Sequence, residues 1–126
     1  MELIFAYIAI FLLFGVIVFQ IMLISGMPLG EYAMGGKYPG KFPLRIRIAA
    51  IFQSIILLFF AFIVLVRAEI IFIQYLEFSK IGIWFVFAFS VIASVLNIIT
   101  PSKKERKVWA PVSVILLICT FMIAIL

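Results

Sequence analysis

The stretch LIFAYIAIFLLFGVIVFQIMLIS, Leu3 to Ser25, contains no charged side chain. About 20 apolar residues at a rise of 1.5 Å per residue cross a hydrocarbon core of roughly 30 Å, so this stretch predicts a membrane-spanning helix. It is too long for the apolar region of a cleaved signal peptide, and Glu2 stands where such a peptide carries basic residues. Three further runs of this kind extend over Ile48 to Val66, Ile81 to Thr100 and Val108 to Leu126. We therefore predict an all-α membrane protein of one domain, residues 1–126, in which four transmembrane helices (about 3–25, 48–66, 81–100 and 108–126) form a compact antiparallel bundle.

The composition also indicates a membrane protein. The 126 residues are 68% hydrophobic and 12% charged, which leaves too little polar surface to cover a water-soluble globule. His and Asp are absent, and Cys119 is the single cysteine, which excludes an intramolecular disulfide and a CxxC redox motif. We predict no cofactor, no metal site and no enzymatic activity, because the side chains that usually carry acid–base, nucleophilic or metal chemistry are scarce.

Basic residues are distributed unevenly among the three segments that connect the runs, which we call loop 1, loop 2 and loop 3. Loop 1 carries four basic residues, Lys37, Lys41, Arg45 and Arg47, and loop 3 also carries four, Lys103, Lys104, Arg106 and Lys107. Loop 2 carries only two, Arg67 and Lys80. Because basic loops tend to stay in the cytoplasm, we predict that loops 1 and 3 are cytoplasmic and that both termini lie outside. The net charge of +5 would then attract the anionic headgroups of membrane lipids, and we expect no nucleic-acid partner.

Loop 1 contains the segment GMPLGEYAMGGKYPGKFP, Gly26 to Pro43, which holds five of the seven glycines and three of the five prolines. This composition excludes a regular helix and favours successive turns. The segment also has too many Met, Leu, Tyr and Phe residues for a free linker, so we predict an ordered loop packed onto the cytoplasmic end of the bundle. Glu31 is its one acidic residue, and we expect it to pair with Arg45 or Arg47, with a ligand role as the alternative.

Loops 2 and 3 carry helix signals of their own. In loop 2, polar residues at nearly helical spacing over residues 67–80 predict a short amphipathic helix in the outer interface, unless the second transmembrane helix simply continues. In loop 3, Ser102 and Glu105 have the spacing of a capping box, so the fourth helix should begin near Lys103. Pro111 would then lie inside that helix and kink it, unless the helix begins only there.

The four runs contain no Asp, Glu, Lys, Arg or His, which argues against a proton-coupled transporter. Each run instead places one uncharged polar side chain at a similar depth near loops 1 and 3, and the third run adds a serine on the face of its asparagine: Gln20, Gln53, Asn97 and Ser113, with Ser94. One interpretation of this polar layer is interhelical hydrogen bonding, at roughly 0.6 kcal/mol per contact in membranes. The other is a small polar pocket, open to the cytoplasmic side, roofed by loop 1 and edged by basic residues such as Arg45 and Arg47.

Two segments carry a family resemblance. GMPLGEYAMGG, followed by PLRIR from Pro43, and LNIITPSKKERKVWAP, Leu96 to Pro111, resemble a family of small bacterial four-helix integral membrane proteins. The resemblance covers about a third of the chain, implies a bacterial plasma-membrane setting, and brings no activity or site residue with it.

Taken with the polar layer, these features predict a non-enzymatic multi-pass protein of the bacterial plasma membrane. It would bind a lipid or small amphipath in the polar pocket, or a partner membrane protein along its flanks. The candidate binding residues are Gln20, Gln53, Ser94, Asn97 and Ser113 with Glu31, Arg45 and Arg47. The alternative is a homo-oligomer that forms a small channel or facilitator, with the same polar residues lining the path.

Overall fold

The computed structural model describes residues 2–126 and contains four long α-helices. They are α1 (Glu2–Ile24), α2 (Leu44–Arg67), α3 (Leu76–Ile99) and α4 (Lys103–Ile125). All four are long and apolar enough to cross a membrane, and no strand occurs among the described residues. The predicted all-α four-helix fold is confirmed, and the chain is a multi-pass membrane protein.

The helices form a ring in which α1 packs against α2 and α4, and α3 packs against α2 and α4. Successive helices are antiparallel, so loops 1 and 3 meet at one end of the bundle, which we call the basic end. On α1, Ala6, Ala9 and Leu13 are almost fully buried, at a spacing that keeps one face of the helix toward its neighbours. Large apolar side chains on the opposite face, such as Phe11 and Phe14, are exposed on the outside of the bundle. This exposed apolar surface fits a bundle surrounded by lipid.

Helix α2 begins four residues earlier than the predicted Ile48. The carbonyl oxygen of Pro43 accepts hydrogen bonds from the N–H groups of Ile46 and Arg47, both at 3.0 Å, and so starts the helix at Leu44. A proline suits this position because it has no N–H group to satisfy. As a result Arg45 and Arg47 belong to the first turns of α2, and loop 1 comprises only residues 25–43.

The prediction of a short amphipathic helix over residues 67–80 of loop 2 is wrong. Glu69 and Phe72 adopt positive φ angles of 62° and 45°, which end α2 and prevent a continuous helix through the segment. A single 3₁₀ turn, Ile73–Tyr75, leads directly into α3 at Leu76, five residues before the predicted start. The polar residues at 77 and 80 therefore lie in the first turns of α3, where they form an ion pair of 3.1 Å.

Loop 1 is ordered, as predicted, and packs against loop 3 and the start of α4. It contains two 3₁₀ turns, Gly30–Tyr32 and Met34–Gly36, and the Gly30 N–H donates to the carbonyl oxygen of Gly40 at 2.9 Å. The loop segments around Gly30 and Tyr38 approach so closely that a Cβ atom at Gly30 would lie 1.8 Å from the carbonyl oxygen of Tyr38. Only glycine fits this position, which explains part of the glycine enrichment of the segment.

The expected pairing of Glu31 with Arg45 or Arg47 is wrong, because Glu31 pairs with Lys104 of α4. Arg47 instead donates from Nε to the carbonyl oxygen of Phe42 at 2.9 Å, and Arg45 is exposed. The 3₁₀ turn that carries Glu31 packs against α4, which brings Lys104 closest. The hydrogen bond and the charge of Glu31 raise the pKa of Lys104 above its ordinary value of 10.5.

Helix α4 starts at Lys103, as predicted, but uses only half of the capping box. The Ser102 hydroxyl oxygen accepts from the Glu105 N–H at 3.2 Å and donates to the carbonyl oxygen of Glu31. The Glu105 carboxylate does not accept a hydrogen bond from the backbone N–H of Ser102, as a full capping box requires. It accepts instead from the Gly35 N–H in loop 1, at 3.1 Å. The helix continues through Pro111 without ending.

Candidate functional site

A cavity of about 550 Å³ lies in the half of the bundle next to the basic end. All four helices border it, and residues 32–35 of loop 1 close its end together with loop 3. Its walls are mostly apolar, with Leu13, Phe19, Leu57, Phe89 and Leu116 among the lining residues. Polar side chains occur at the end of the cavity near the loops. The cavity therefore has an apolar body and a polar end.

Four of the eight residues predicted as site residues line this cavity: Gln20, Gln53, Asn97 and Ser113. The other four do not line it. Ser94 is buried on α3, and its hydroxyl has no hydrogen-bond partner among the described residues. Glu31, Arg45 and Arg47 lie outside the lining, and Glu31 is tied to Lys104. The structure thus brings together four residues of the polar layer, leaves Ser94 out, and separates the four from the predicted charged rim of Glu31, Arg45 and Arg47.

The polar layer also joins helices. Gln20 donates from Nε2 to Oε1 of Gln53 at 3.3 Å, a bond between α1 and α2. Asn97 donates from Nδ2 to the carbonyl oxygen of Trp109 at 3.4 Å, between α3 and α4, and Ser113 donates to the same oxygen at 2.8 Å. The amide oxygens of Gln20 and Asn97 have no hydrogen-bond partner among residues 2–126. Each of these amides therefore uses one atom to join helices and leaves the other unpaired in a side chain that lines the cavity.

Two further polar groups in the lining were missed by the sequence analysis. Glu105 is 6% exposed, and its Oε2 accepts from the Gly35 N–H. The indole N–H of Trp109 is buried and has no hydrogen-bond partner in the described part of the chain, while its ring packs against Phe19 with centroids 4.8 Å apart. The sequence did contain a signal for Glu105, since it is the one acidic residue among the four basic residues of loop 3.

The cavity opens sideways between α2 and α3. Gln53 on α2 and Ile92 and Leu96 on α3 line the cavity and yet are exposed, the last two at 59% and 58%. Farther from the basic end, the same two helices are held together by the aromatic pairs Phe59–Phe78 and Phe60–Phe89, with centroids 6.3 and 5.0 Å apart. The gap between α2 and α3 therefore faces the surrounding bilayer on the side of the basic end.

The interior of the opposite half of the bundle is packed with apolar side chains. Ala6, Ala9, Val64, Ile83 and Ile123 are each at most 2% exposed and form one apolar cluster there. Within residues 2–126, no group of three or more His, Cys, Asp or Glu residues is placed to hold a metal ion. The cavity is thus a one-ended chamber that can bind a molecule with an apolar part and a polar part, and it does not continue through the bundle.

No protein-family model, curated protein or solved structure matches this chain.

Proposed function

We propose that the protein acts by binding, and that it holds a membrane lipid or another amphipath in the cavity at the basic end. The observation that carries this proposal is a cavity with apolar walls and a polar end that opens sideways between α2 and α3. Its volume of about 550 Å³ falls within the range of about 300–1,000 Å³ usual for ligand sites. A headgroup at the polar end would pair with the unsatisfied amide and indole groups, while a chain would occupy the apolar body or extend into the bilayer through the gap.

The basic end is the cytoplasmic end in this proposal, because eight of the ten Lys and Arg residues lie in or next to loops 1 and 3. The cavity then takes its ligand from the inner leaflet. A bacterial plasma membrane is the proposed location, on the basis of the family resemblance of loop 1 and of Leu96 to Pro111. The exposed lysines and arginines of this end would face the anionic surface of the inner leaflet.

Native mass spectrometry of the protein in a mild detergent tests this proposal. Purified protein is mixed with palmitoyl-oleoyl phosphatidylethanolamine, phosphatidylglycerol and phosphatidylcholine, and the retained lipid is counted per protein chain. We expect one lipid per chain. Ala93→Phe, which fills the cavity with a side chain from its wall, and Gln53→Leu, which removes an amide from its polar end, should both reduce retention.

Gln74→Leu is the matched control, because Gln74 is exposed in loop 2 and lies outside the cavity lining. It makes the same chemical change as Gln53→Leu and should leave retention unaltered. Wild-type protein that retains no lipid, or equal retention by all four proteins, would overturn the proposal.

A further inference from the structure

Glu105 is a buried carboxylate without a cationic partner. It is 6% exposed, although the neighbouring Lys104 and Arg106 are exposed. Within residues 2–126, no Lys or Arg nitrogen lies within 4.0 Å of its carboxylate oxygens, and Lys104 is already paired with Glu31. Buried carboxylates are usually paired with a basic group, so Glu105 gives the cavity a carboxylate that lacks such a counterpart.

The structural role of Glu105 uses only part of this side chain. Its Oε2 accepts from the Gly35 N–H at 3.1 Å and so ties loop 1 to α4. Its Oε1 has no hydrogen-bond partner among the described residues. A glutamine could accept from Gly35 equally well, because an amide oxygen serves as an acceptor without a charge. The contact with loop 1 therefore does not account for the carboxylate.

The unpaired amide oxygens at the polar end fit a cation that donates hydrogen bonds, whereas the unpaired indole N–H of Trp109 is a donor that needs an acceptor elsewhere in the ligand or a water. The amide oxygens of Gln20 and Asn97 are acceptors without a partner in the described chain. Trp109 and Phe19 add aromatic rings to the lining, and aromatic faces attract cations. A primary ammonium group carries three N–H donors and one positive charge, which matches a carboxylate flanked by amide oxygens. An anionic headgroup would meet the unpaired charge of Glu105 and be disfavoured.

We propose that the amphipath bound in the cavity carries a primary ammonium group and that the Glu105 carboxylate binds it. This inference rests on the proposed function, because it names the headgroup of the ligand that the cavity takes. The ammonium group could come from the headgroup of an aminated phospholipid or from a free long-chain amine. Both sources present the same chemistry to Glu105, and the experiment separates them.

The first measurement compares dodecylammonium with dodecan-1-ol, which has the same chain and a neutral head. Binding is followed by the fluorescence of Trp109, with Trp84→Phe introduced so that the remaining tryptophan is the one in the cavity lining. In a non-ionic detergent, we expect dodecylammonium to bind about tenfold more tightly than the alcohol, which corresponds to about 1.4 kcal/mol. Glu105→Gln should abolish this preference, so that the two molecules bind about equally well. The substitution keeps the acceptor for the Gly35 N–H and removes the charge.

Glu31→Gln is the matched control. It removes the same charge at the same end of the bundle, but from a residue outside the cavity lining, so it should leave the preference intact. Glu105→Asp keeps a carboxylate that is one methylene shorter and should retain part of the preference. Thermal unfolding of each variant verifies that the fold is kept.

The second measurement counts retained lipids with identical chains and different headgroups by native mass spectrometry. Preference for phosphatidylethanolamine over phosphatidylcholine, lost in Glu105→Gln, would assign the ammonium group to a lipid. A dodecylammonium preference without discrimination between these lipids would assign it to a free amine. Equal binding of dodecylammonium and dodecan-1-ol by the wild type would overturn the inference while leaving amphipath binding intact. Absence of binding by all of these molecules would instead overturn the proposed function.

Discussion

Replacing Gly30 by Ala should open loop 1 without unfolding the bundle. The new Cβ atom would lie 1.8 Å from the carbonyl oxygen of Tyr38 and 2.7 Å from that of Gly40, whereas real Cβ atoms stay at least 3.0 Å from other heavy atoms. Both neighbours are backbone atoms and cannot rotate away as a side chain can. The loop segments around Gly30 and around Tyr38 and Gly40 must therefore move apart.

The magnitude follows from two losses. Separation breaks the hydrogen bond from the Gly30 N–H to the Gly40 carbonyl oxygen, at 2.9 Å, and such bonds contribute about 1 kcal/mol. Forcing an extra methyl group into packed surroundings costs a further 1–3 kcal/mol or so. A total of about 2–4 kcal/mol corresponds to an increase of about 30-fold to 1,000-fold in the open population of the loop.

Amide hydrogen exchange of loop 1 in detergent micelles, read by mass spectrometry, measures this population directly. We expect exchange in loop 1 to accelerate by about two orders of magnitude in Gly30→Ala, while exchange in the four helices stays as in the wild type. Because residues 32–35 close the end of the cavity, lipid retention should fall in the same variant.

Two other glycines provide controls. Gly40 has a φ of +77° but no neighbouring atom within 4 Å of an added Cβ, so Gly40→Ala should carry only the backbone penalty of about 1–2 kcal/mol. Gly15, in the middle of α1, also has open space around it, and Gly15→Ala should leave loop 1 unaffected. Loop exchange in Gly30→Ala within about threefold of the wild type would refute the steric reasoning, since it corresponds to less than about 1 kcal/mol.

Replacing Ser102 by Ala removes the oxygen that accepts from the Glu105 N–H at 3.2 Å, and we expect the free energy of unfolding in micelles to fall by about 1 kcal/mol and to be restored by Thr. Because Glu31 raises the pKa of Lys104, their pair stabilises the fold fully below pH 10.5 and loses this contribution as the pH rises through the higher folded-state pKa. The melting temperature of Lys104→Gln should therefore decline less steeply above pH 10.5 than that of the wild type, and equal declines would contradict the linkage. A cysteine at the exposed position Lys37, in a background without the native cysteine, should resist an impermeant thiol reagent in intact cells, whereas rapid labelling would place the basic end outside.

The fold was largely predictable because the signals are local and strong. A charge-free run such as Leu3 to Ser25 has one low-energy structure in a bilayer, and the Gly/Pro content of loop 1 excludes helix there. The depth of Gln20, Gln53, Asn97 and Ser113 follows from counting residues inward from the loops, which is why these residues were grouped correctly before any contact was known.

The ion pairs and the orientation of Glu105 could not be predicted in this way. The spacing of Ser102 and Glu105 favours a capping box, but the Gly35 N–H competes for the same carboxylate from 70 residues away in the chain. Similarly, Glu31 is 73 residues from Lys104 and only about 14 residues from the basic residues of α2. Which basic residue lies nearest to Glu31 depends on how loop 1 packs across α4, and this packing cannot be predicted from the local sequence.

The two interpretations of the polar layer, helix contacts and ligand site, apply to the same side chains. The bond between Gln20 and Gln53 is 3.3 Å long, and such contacts in membranes contribute only about 0.6 kcal/mol on average. An unsatisfied buried polar group costs about 1–3 kcal/mol, so the buried indole N–H of Trp109 alone costs more than the helix contact supplies. Helix contacts alone thus leave polar groups of the cavity lining without partners. Water or a polar headgroup in the cavity would satisfy these groups. The polar side chains can therefore join helices and bind a ligand at the same time.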